Sequence, residues 1–386
     1  MWAFVLIALL FATVSVADTF TNIETGEVLH GYLTSKVVAS QTEAVIQGKG
    51  LVMIKTMKFD ITADRKGRNN SVIVIVYEGP MVKQIETDAL KEALIKSADA
   101  GPLFILIELD TPGGRTDFAR DVASAIYAIR KKCPVITYVK SETQGGAISA
   151  GVAVALSGEK VFISKNAVIG GATSYTVTED GPTEFKKAYG EEIGAKFQSI
   201  WRGFLASTAE QGGRPGLLAK AMVDKDIEVI EIEKKGKREF IELINKKPSD
   251  IIVHTWSKKG SLLTLTGKEA VACTIADKNA DTRQEVIKEM NAENAEIIVN
   301  DDVKKAAAEL ERIERRLKKI KKSLDRQLKE LDLGLPKPKW MKTVRQLRVN
   351  VKYMITMAKK YPDLGLNIDD LEKYLNTVEA NYNKAK

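Results

Sequence analysis

Histidine and cysteine are nearly missing from this chain: its 386 residues include only His30, His254, Cys133 and Cys273. Two thiols so far apart in sequence make no disulfide framework, and each stands in an apolar setting (KKCPVITYV, EAVACTIAD) that suits a small core residue. With two imidazoles, a mechanism that needs histidine has almost nothing to draw on. No His, Cys and carboxylate cluster has metal-ligand spacing, so no metal is expected. Long apolar runs are also scarce: beyond residue 17 none approaches the roughly 20 residues that cross a bilayer. Nor is the net charge of +8 a property of the whole chain. From Asp301 to Lys386, 22 Lys and Arg face 13 Asp and Glu, and the remainder is close to neutral.

What is present begins with MWAFVLIALLFATVSVADTF, apolar from Trp2 to Val16 except for Thr13 and Ser15. Ser15 and Ala17 fall at the small-residue spacing that a signal peptidase accepts. Residues 1–17 are therefore expected to be a signal peptide or, uncleaved, an N-terminal anchor, and the protein to be exported to a periplasmic or other extracytoplasmic space. A hydrophobic content of 44% over this length predicts two or three domains. Short alternating strands broken at Thr25-Gly26 and Gly48-Lys49-Gly50 predict a small β module over residues 18–61. The polar stretch TADRKGRNN reads as a linker over 62–70.

The pattern then changes. SVIVIVYEGP, PLFILIELD, PVITYVK and KVFISKNAVIGG are apolar strands, separated by helical stretches at about Gln84 to Ala98, ARDVASAIYAIRKK and ISAGVAVALSG. Continuous apolar strands alternating with helices mean βαβ units around a parallel sheet buried on both faces. An α/β domain is expected over residues 71–298, with function at the carboxyl ends of its strands. An amphipathic helical region runs from Pro182 to about Gln211, and EIEKKGKREF reads as a hairpin. In the remaining segment, 299–386, Leu310, Ile313, Leu317, Ile320, Leu324, Leu328 and Leu331 recur at spacings of three and four, a coiled-coil-like stripe.

Two turns could carry chemistry. ELDTPGGRTD ends a strand with glycines that let backbone N–H groups approach a ligand, an arrangement suited to an oxyanion, although a PGG turn alone is commonly only a turn. After the next strand, Ser149 follows the pair Gly145-Gly146 at a strand-to-helix turn, the place an acyl-transfer nucleophile requires. Taken alone, Gly146, Ala147, Ser149, Ala150 and Gly151 are better explained as small residues that let a helix pack closely. The two turns on adjacent strands favour chemistry.

Together, LDTPGGR, AISAG, IGGA, AMVDKDIEVIEI and LTLTGKEAVACTIADKNAD resemble the serine proteases of the Clp-peptidase and crotonase-like fold, in the signal peptide peptidase A and NfeD-type membrane protease branch. The resemblance runs from about Ser71 to Asp281. It implies a crotonase-like (ClpP-like) parallel sheet with flanking helices. It also implies that Ser149 attacks the peptide carbonyl, that the N–H groups of Gly113 or Gly114 and of Ala150 form the oxyanion hole, and that a lysine, not a histidine, is the base. The family's position for that lysine maps to Lys196, with Lys186 and Lys187 as substitutes and Lys140 less favoured. For Lys196 to act near pH 7 its pKa must fall roughly three units from about 10.4, at a cost of about 4 kcal/mol in lost solvation. Phe197, Ile200 and Trp201 are the local apolar candidates to impose it. Relatives often carry a serine three positions before the nucleophile, where this chain has Gly146.

The resulting expectation is an exported serine endopeptidase that cleaves hydrophobic or membrane-associated peptides through an acyl-enzyme, with a Ser149/Lys196 dyad and neither metal nor organic cofactor. The resemblance also implies a homo-oligomer that encloses its sites and a peptide or membrane-protein substrate. For the basic tail, a partner helix or self-association is expected before an anionic membrane surface, and no nucleic acid. A catalytically silent scaffold is the alternative. A crotonase-like acyl-CoA enzyme is disfavoured by the leader and by the Ser149 motif.

Overall fold

The computed structural model describes residues 18–46, 49–62, 71–178, 181–234, 236–293, 295–332 and 335–385. The expected leader, residues 1–17, and residues 63–70 of the expected linker lie outside them. The chain divides into two compact units, one of residues up to Met81 with Lys91–Asn300, the other of Val82–Leu90 with Asp301–Lys386.

The centre of the first unit is a six-stranded sheet in the order Lys278–Asn279, Lys160–Ile163, Val135–Val139, Phe104–Asp110, Ser71–Glu78, Glu296–Asn300. Every neighbouring pair in it is parallel. Phe104–Asp110 and Val135–Val139 are buried along their whole length, which explains why they read as unbroken apolar runs and not as alternating ones. The helix Thr116–Arg130 turns Phe118, Ala119, Val122, Ala123, Ile126 and Ile129 inward at helical spacing. This is the expected architecture: a parallel core with flanking helices, a small β module before it and helices after it.

A second layer matters more for the site. Gly146–Ile148 pairs in parallel with Val168–Gly170, which pairs antiparallel with Thr264–Thr266. Isolated parallel bridges, Met81 to Gly114 and Thr111 to Ala147, lead from the ends of the main strands into this layer. The sequence reading placed ISAGVAVALSG in a helix, but the helix begins only at Gly151. Ahead of it, Thr111 bonds the backbone on both sides of Ala147 and holds it extended. The stretch 182–211 also departs from one helical region. Gly181–Glu184 is a strand paired with Tyr175–Thr178, and the helices Phe185–Tyr189 and Glu191–Gln211 are separated by Gly190. The hairpin is as expected, with Val229–Lys234 antiparallel to Lys237–Glu242.

The β module is an antiparallel five-stranded sheet between Asp18 and Thr62, closed over Phe20, Ala44, Ile46 and Ile54. In the second unit, Ile313, Leu317 and Ile320 of the helix Asp302–Asp332 pack with Met354 of the helix Lys337–Lys360. Val344, Leu347 and Val378 form a second cluster, which reaches into the helix Ile368–Ala385. Most of the coiled-coil-like stripe is thus met by the chain's own helices, while Leu328 is 40% exposed.

Glu108 is a buried charge of the sheet with cationic partners. It is 3% exposed, accepts from Arg283 at 2.5 and 3.1 Å, and lies 3.3 Å from the Lys140 ammonium. Burial pushes its carboxyl up, but the hydrogen bond and charge of Arg283, with Lys140, outweigh that and hold it below its ordinary value of 4.5. A folded-state value below the unfolded one gives stability that is present above about pH 4.5 and lost as pH falls through the lower, folded value. Urea unfolding between pH 6 and pH 3 should therefore show a steeper loss of stability in the wild type than in Glu108→Gln. At neutral pH the variant should be weaker by roughly 3 kcal/mol, because it leaves Arg283 without its carboxylate and takes one of three from Lys140.

Candidate active site

Ser149 sits where a three-residue strand becomes a helix, between Gly146–Ile148 and Gly151–Ser157. Its N–H donates to the carbonyl of Gly170 at 3.0 Å. Its φ is +54°, the left-handed region that costs an L-residue with a Cβ roughly 1 kcal/mol. A serine held in such a turn at a strand end has the geometry of a nucleophile elbow.

The PGG turn lies directly against it. A Cβ on Gly113 would stand 2.5 Å from Ser149 Cβ, 2.7 Å from the Ile148 carbonyl oxygen and 2.9 Å from the Ala150 nitrogen, so only hydrogen fits. Gly113 has a committed N–H, which donates to Thr111 Oγ1 at 3.0 Å, and its carbonyl accepts from Met81 N–H at 2.7 Å. Among the described residues, neither the N–H of Gly114 nor that of Ala150 donates a hydrogen bond. Of the two glycines left open by the sequence, Gly114 therefore has the available donor. Gly146 is equally constrained, with φ +142° and a hypothetical Cβ 2.0 Å from the Val168 carbonyl oxygen. No serine fits there without a backbone shift, which accounts for the departure from the family pattern.

The structure thus brings Gly113, Gly114, Ser149 and Ala150 together; Lys196 is placed differently. It lies on the helix Glu191–Gln211, which packs on Gly151–Ser157 and is fixed by Trp201 Nε1 donating to the Ala172 carbonyl at 2.8 Å. The buried side of that helix is set by Gly194, Trp201, Leu205 and Thr208. At 100° per residue, Lys196 is about 140° around the helix from Trp201. Its side chain is exposed, and among the described residues it makes no hydrogen bond to Ser149. The expected apolar walls correct accordingly: Trp201 is buried at 4% exposure, but Phe197 and Ile200 are 47% and 50% exposed. Within one chain they do not strip the amine of water.

The other lysines separate clearly. Lys140 contacts Glu142, Glu78 and Glu108 at 2.9, 3.1 and 3.3 Å. Burial pushes its ammonium pKa down, but the hydrogen bond to Glu142 and the charge of Glu108, with Glu78, raise it on balance. It is held as a cation and is unsuited to take a proton. Lys187 is exposed; the Lys186 backbone is in the helix Phe185–Tyr189, and its side chain lies outside the described features. Arg214, eighteen residues beyond Lys196, is a structural clamp. It is 5% exposed and donates to the carbonyls of Gly158, Glu159, Gly212 and Ile275 and to Asp277.

Sequence reasoning missed Thr111. Its side chain accepts from Gly113, its N–H donates to the Gly146 carbonyl at 2.7 Å, and its own carbonyl accepts from Ile148 N–H at 3.0 Å. A threonine between a strand and a turn gives no sequence signal beyond ordinary turn chemistry. Cys133 and Cys273 are both buried, as their apolar settings imply, and burial pushes the Cys273 thiol up to about 12.

Residues 75–253 match the family described as NfeD1b, N-terminal domain. The membrane protein NfeD1b of Bacillus subtilis (strain 168) is 26% identical over 225 residues, 58% of this chain and 42% of that protein. The membrane-bound protease PH1510 of Pyrococcus horikoshii is 28% identical over 148 residues, 38% of this chain and 31% of that one. The chain thus spans less than half the length of either relative. Among solved structures, the 1510-N membrane-bound stomatin-specific protease of Pyrococcus horikoshii superposes at a TM-score of 0.44 with 20% identity over 60% of this chain and 97% of the other. ClpP1 of Listeria monocytogenes gives 0.32 with 12% identity over 55% and 94%. The resemblance read from LDTPGGR and AISAG to the NfeD-type membrane protease branch is thus met by a family match over residues 75–253, less than half of the chain, and by similarity to two membrane proteins of that kind.

Proposed function

We propose that this chain is a serine endopeptidase in which Ser149 is the nucleophile, the N–H groups of Gly114 and Ala150 are the oxyanion donors and Lys196 is the base. The observation that carries the reading is the left-handed Ser149, packed against a glycine turn that leaves no space for a side chain. The likeness to a membrane-bound protease supports the same chemistry. In the forward step, Ser149 Oγ bonds to the scissile carbonyl carbon and its proton passes to a neutral Lys196 amine. The carbonyl oxygen takes the negative charge and is met by the two backbone donors. Collapse expels the peptide amine, which takes the proton from lysine, and water then hydrolyses the ester by the same route in reverse.

A neutral amine needs less water around it than Lys196 has in a single chain. Beside it on the helix, Ile193 and Ile200 are 53% and 50% exposed. The reading therefore includes self-association, with a second copy covering this stripe and excluding water from the base. A hydrophobic or membrane-associated peptide is the proposed substrate, and an extracytoplasmic space the proposed location. The exposure of Lys196 is also the one observation that favours the silent scaffold, and the scaffold predicts no serine chemistry at all.

A fluorophosphonate probe separates the two readings. Wild-type protein should be labelled at Ser149, and Ser149→Ala should not. Equal labelling of both, or of neither, sinks the peptidase. Gly113→Ala, which drives a methyl into Ser149, should lower the labelling rate about a hundredfold, comparable to the loss of an oxyanion donor.

The base is tested by dilution. Activity per mole on a hydrophobic peptide should fall as sedimentation shows the oligomer dissociating, and Lys196→Met should be inactive at every concentration. Full activity of a monomer, or of Lys196→Met, removes Lys196 from the mechanism.

A further inference from the structure

Asp110 is the last residue of the buried strand Phe104–Asp110, and its side chain is fully shielded from solvent. Oδ2 accepts from the backbone N–H groups of Glu142, Thr143 and Gln144 at 3.2, 2.7 and 2.9 Å. Oδ1 accepts from Gly146 N–H at 2.9 Å. A carboxylate buried among four backbone donors is completely satisfied without any cationic partner, and it is the one short side chain that can accept on both oxygens at once. The loop it holds is the segment between the third main strand and Ser149, and Gly146 opens the short strand that ends at the serine.

The neighbouring residue extends the constraint. Thr111 bonds both sides of Ala147 through its backbone and fixes the PGG turn through its hydroxyl. A hypothetical Cβ on Gly151 would stand 2.4 Å from Thr111 Cγ2, so this side chain also abuts the start of the helix after Ser149. One dipeptide at the end of one strand therefore touches the loop before the nucleophile, the turn opposite it and the helix behind it.

We propose that Asp110 is a positioning residue for the reaction. By collecting the 142–146 backbone on its carboxylate it sets the place of Ser149 and Ala150 relative to Gly114, and so the separation of the two oxyanion donors. The inference rests on the peptidase reading for its consequence in rate, and on the hydrogen bonds alone for its consequence in backbone order. Asn at this position offers one acceptor oxygen and turns an N–H₂ group toward backbone N–H donors, so it cannot reproduce the set.

The test compares full-length wild type with Asp110→Asn by fluorophosphonate reaction rate and by hydrogen exchange of the segment 139–153, both at a temperature where unfolding curves show each protein folded. The expected result is a fall of about 10- to 100-fold in the rate for Asp110→Asn, in line with an ångström-scale misplacement, with faster exchange from 142 through 150. A residue that only stabilises the fold would lower the melting temperature and leave the rate of the folded protein unchanged; that outcome overturns the proposal, as does faster exchange confined to 142–146. If wild type fails to react, the peptidase reading fails, and the exchange pattern alone decides the positioning. If Asp110→Asn does not fold, Gly145→Ala replaces it. Gly145 has φ +90° with open space around it, so a methyl there strains the loop without touching the core. It should slow the probe in the same way, and a wild-type rate overturns the proposal.

Discussion

The architecture of the site depends on two stretches of backbone that meet with no side chain between them. Gly113 and Ser149 are close enough that a single methyl would collide with three atoms of the serine turn. Such an approach is available only where both chains are held from behind, and each is. The PGG turn is bridged to Met81, and the serine turn lies between Thr111 and Gly170. The left-handed conformation of Ser149 is one of few such strained residues in the described chain, and the sheet behind it is what supports the cost. The parallel core is thus a rigid base on which two short loops are set at contact distance.

The second unit obeys a different logic. The helix Lys337–Lys360 carries eight Lys and Arg and no acidic residue. Part of that charge is balanced by the last helix, where Glu379 lies 2.8 and 2.9 Å from Arg348 and Lys352, and Glu372 lies 2.7 Å from Lys359. These are exposed pairs, each worth little alone. The unit is held mainly by its two apolar clusters, and its basic character stays at the surface.

How much of this could be read from residues alone follows from what each signal is made of. The main strands were legible because burial on both faces leaves a continuous apolar run, as in FILIELD. The glycine turns and Ser149 were legible as a pair. The three-residue strand Gly146–Ile148 was not, because it is extended only through its bonds to Thr111 and Val168–Gly170, which no local propensity records. Lys196 shows the opposite limit. Its neighbours Phe197, Ile200 and Trp201 are apolar in sequence, but which of them faces inward follows the buried side marked by Gly194 before them and Leu205 and Thr208 after them. The tail's stripe is apolar as it reads, and much of it packs on helices that follow it in the same chain, a partner that spacing alone does not name. Asp110 gave no signal, because a carboxylate at a strand end looks like a turn residue until its four donors are seen.

The two cysteines have one more consequence. Both are sealed in the core as thiols. The fold therefore waits for no oxidant while it forms and holds no sulfur–sulfur bond for a reductant to cut. What keeps the chain folded is packing, and no sulfur redox couple enters that balance.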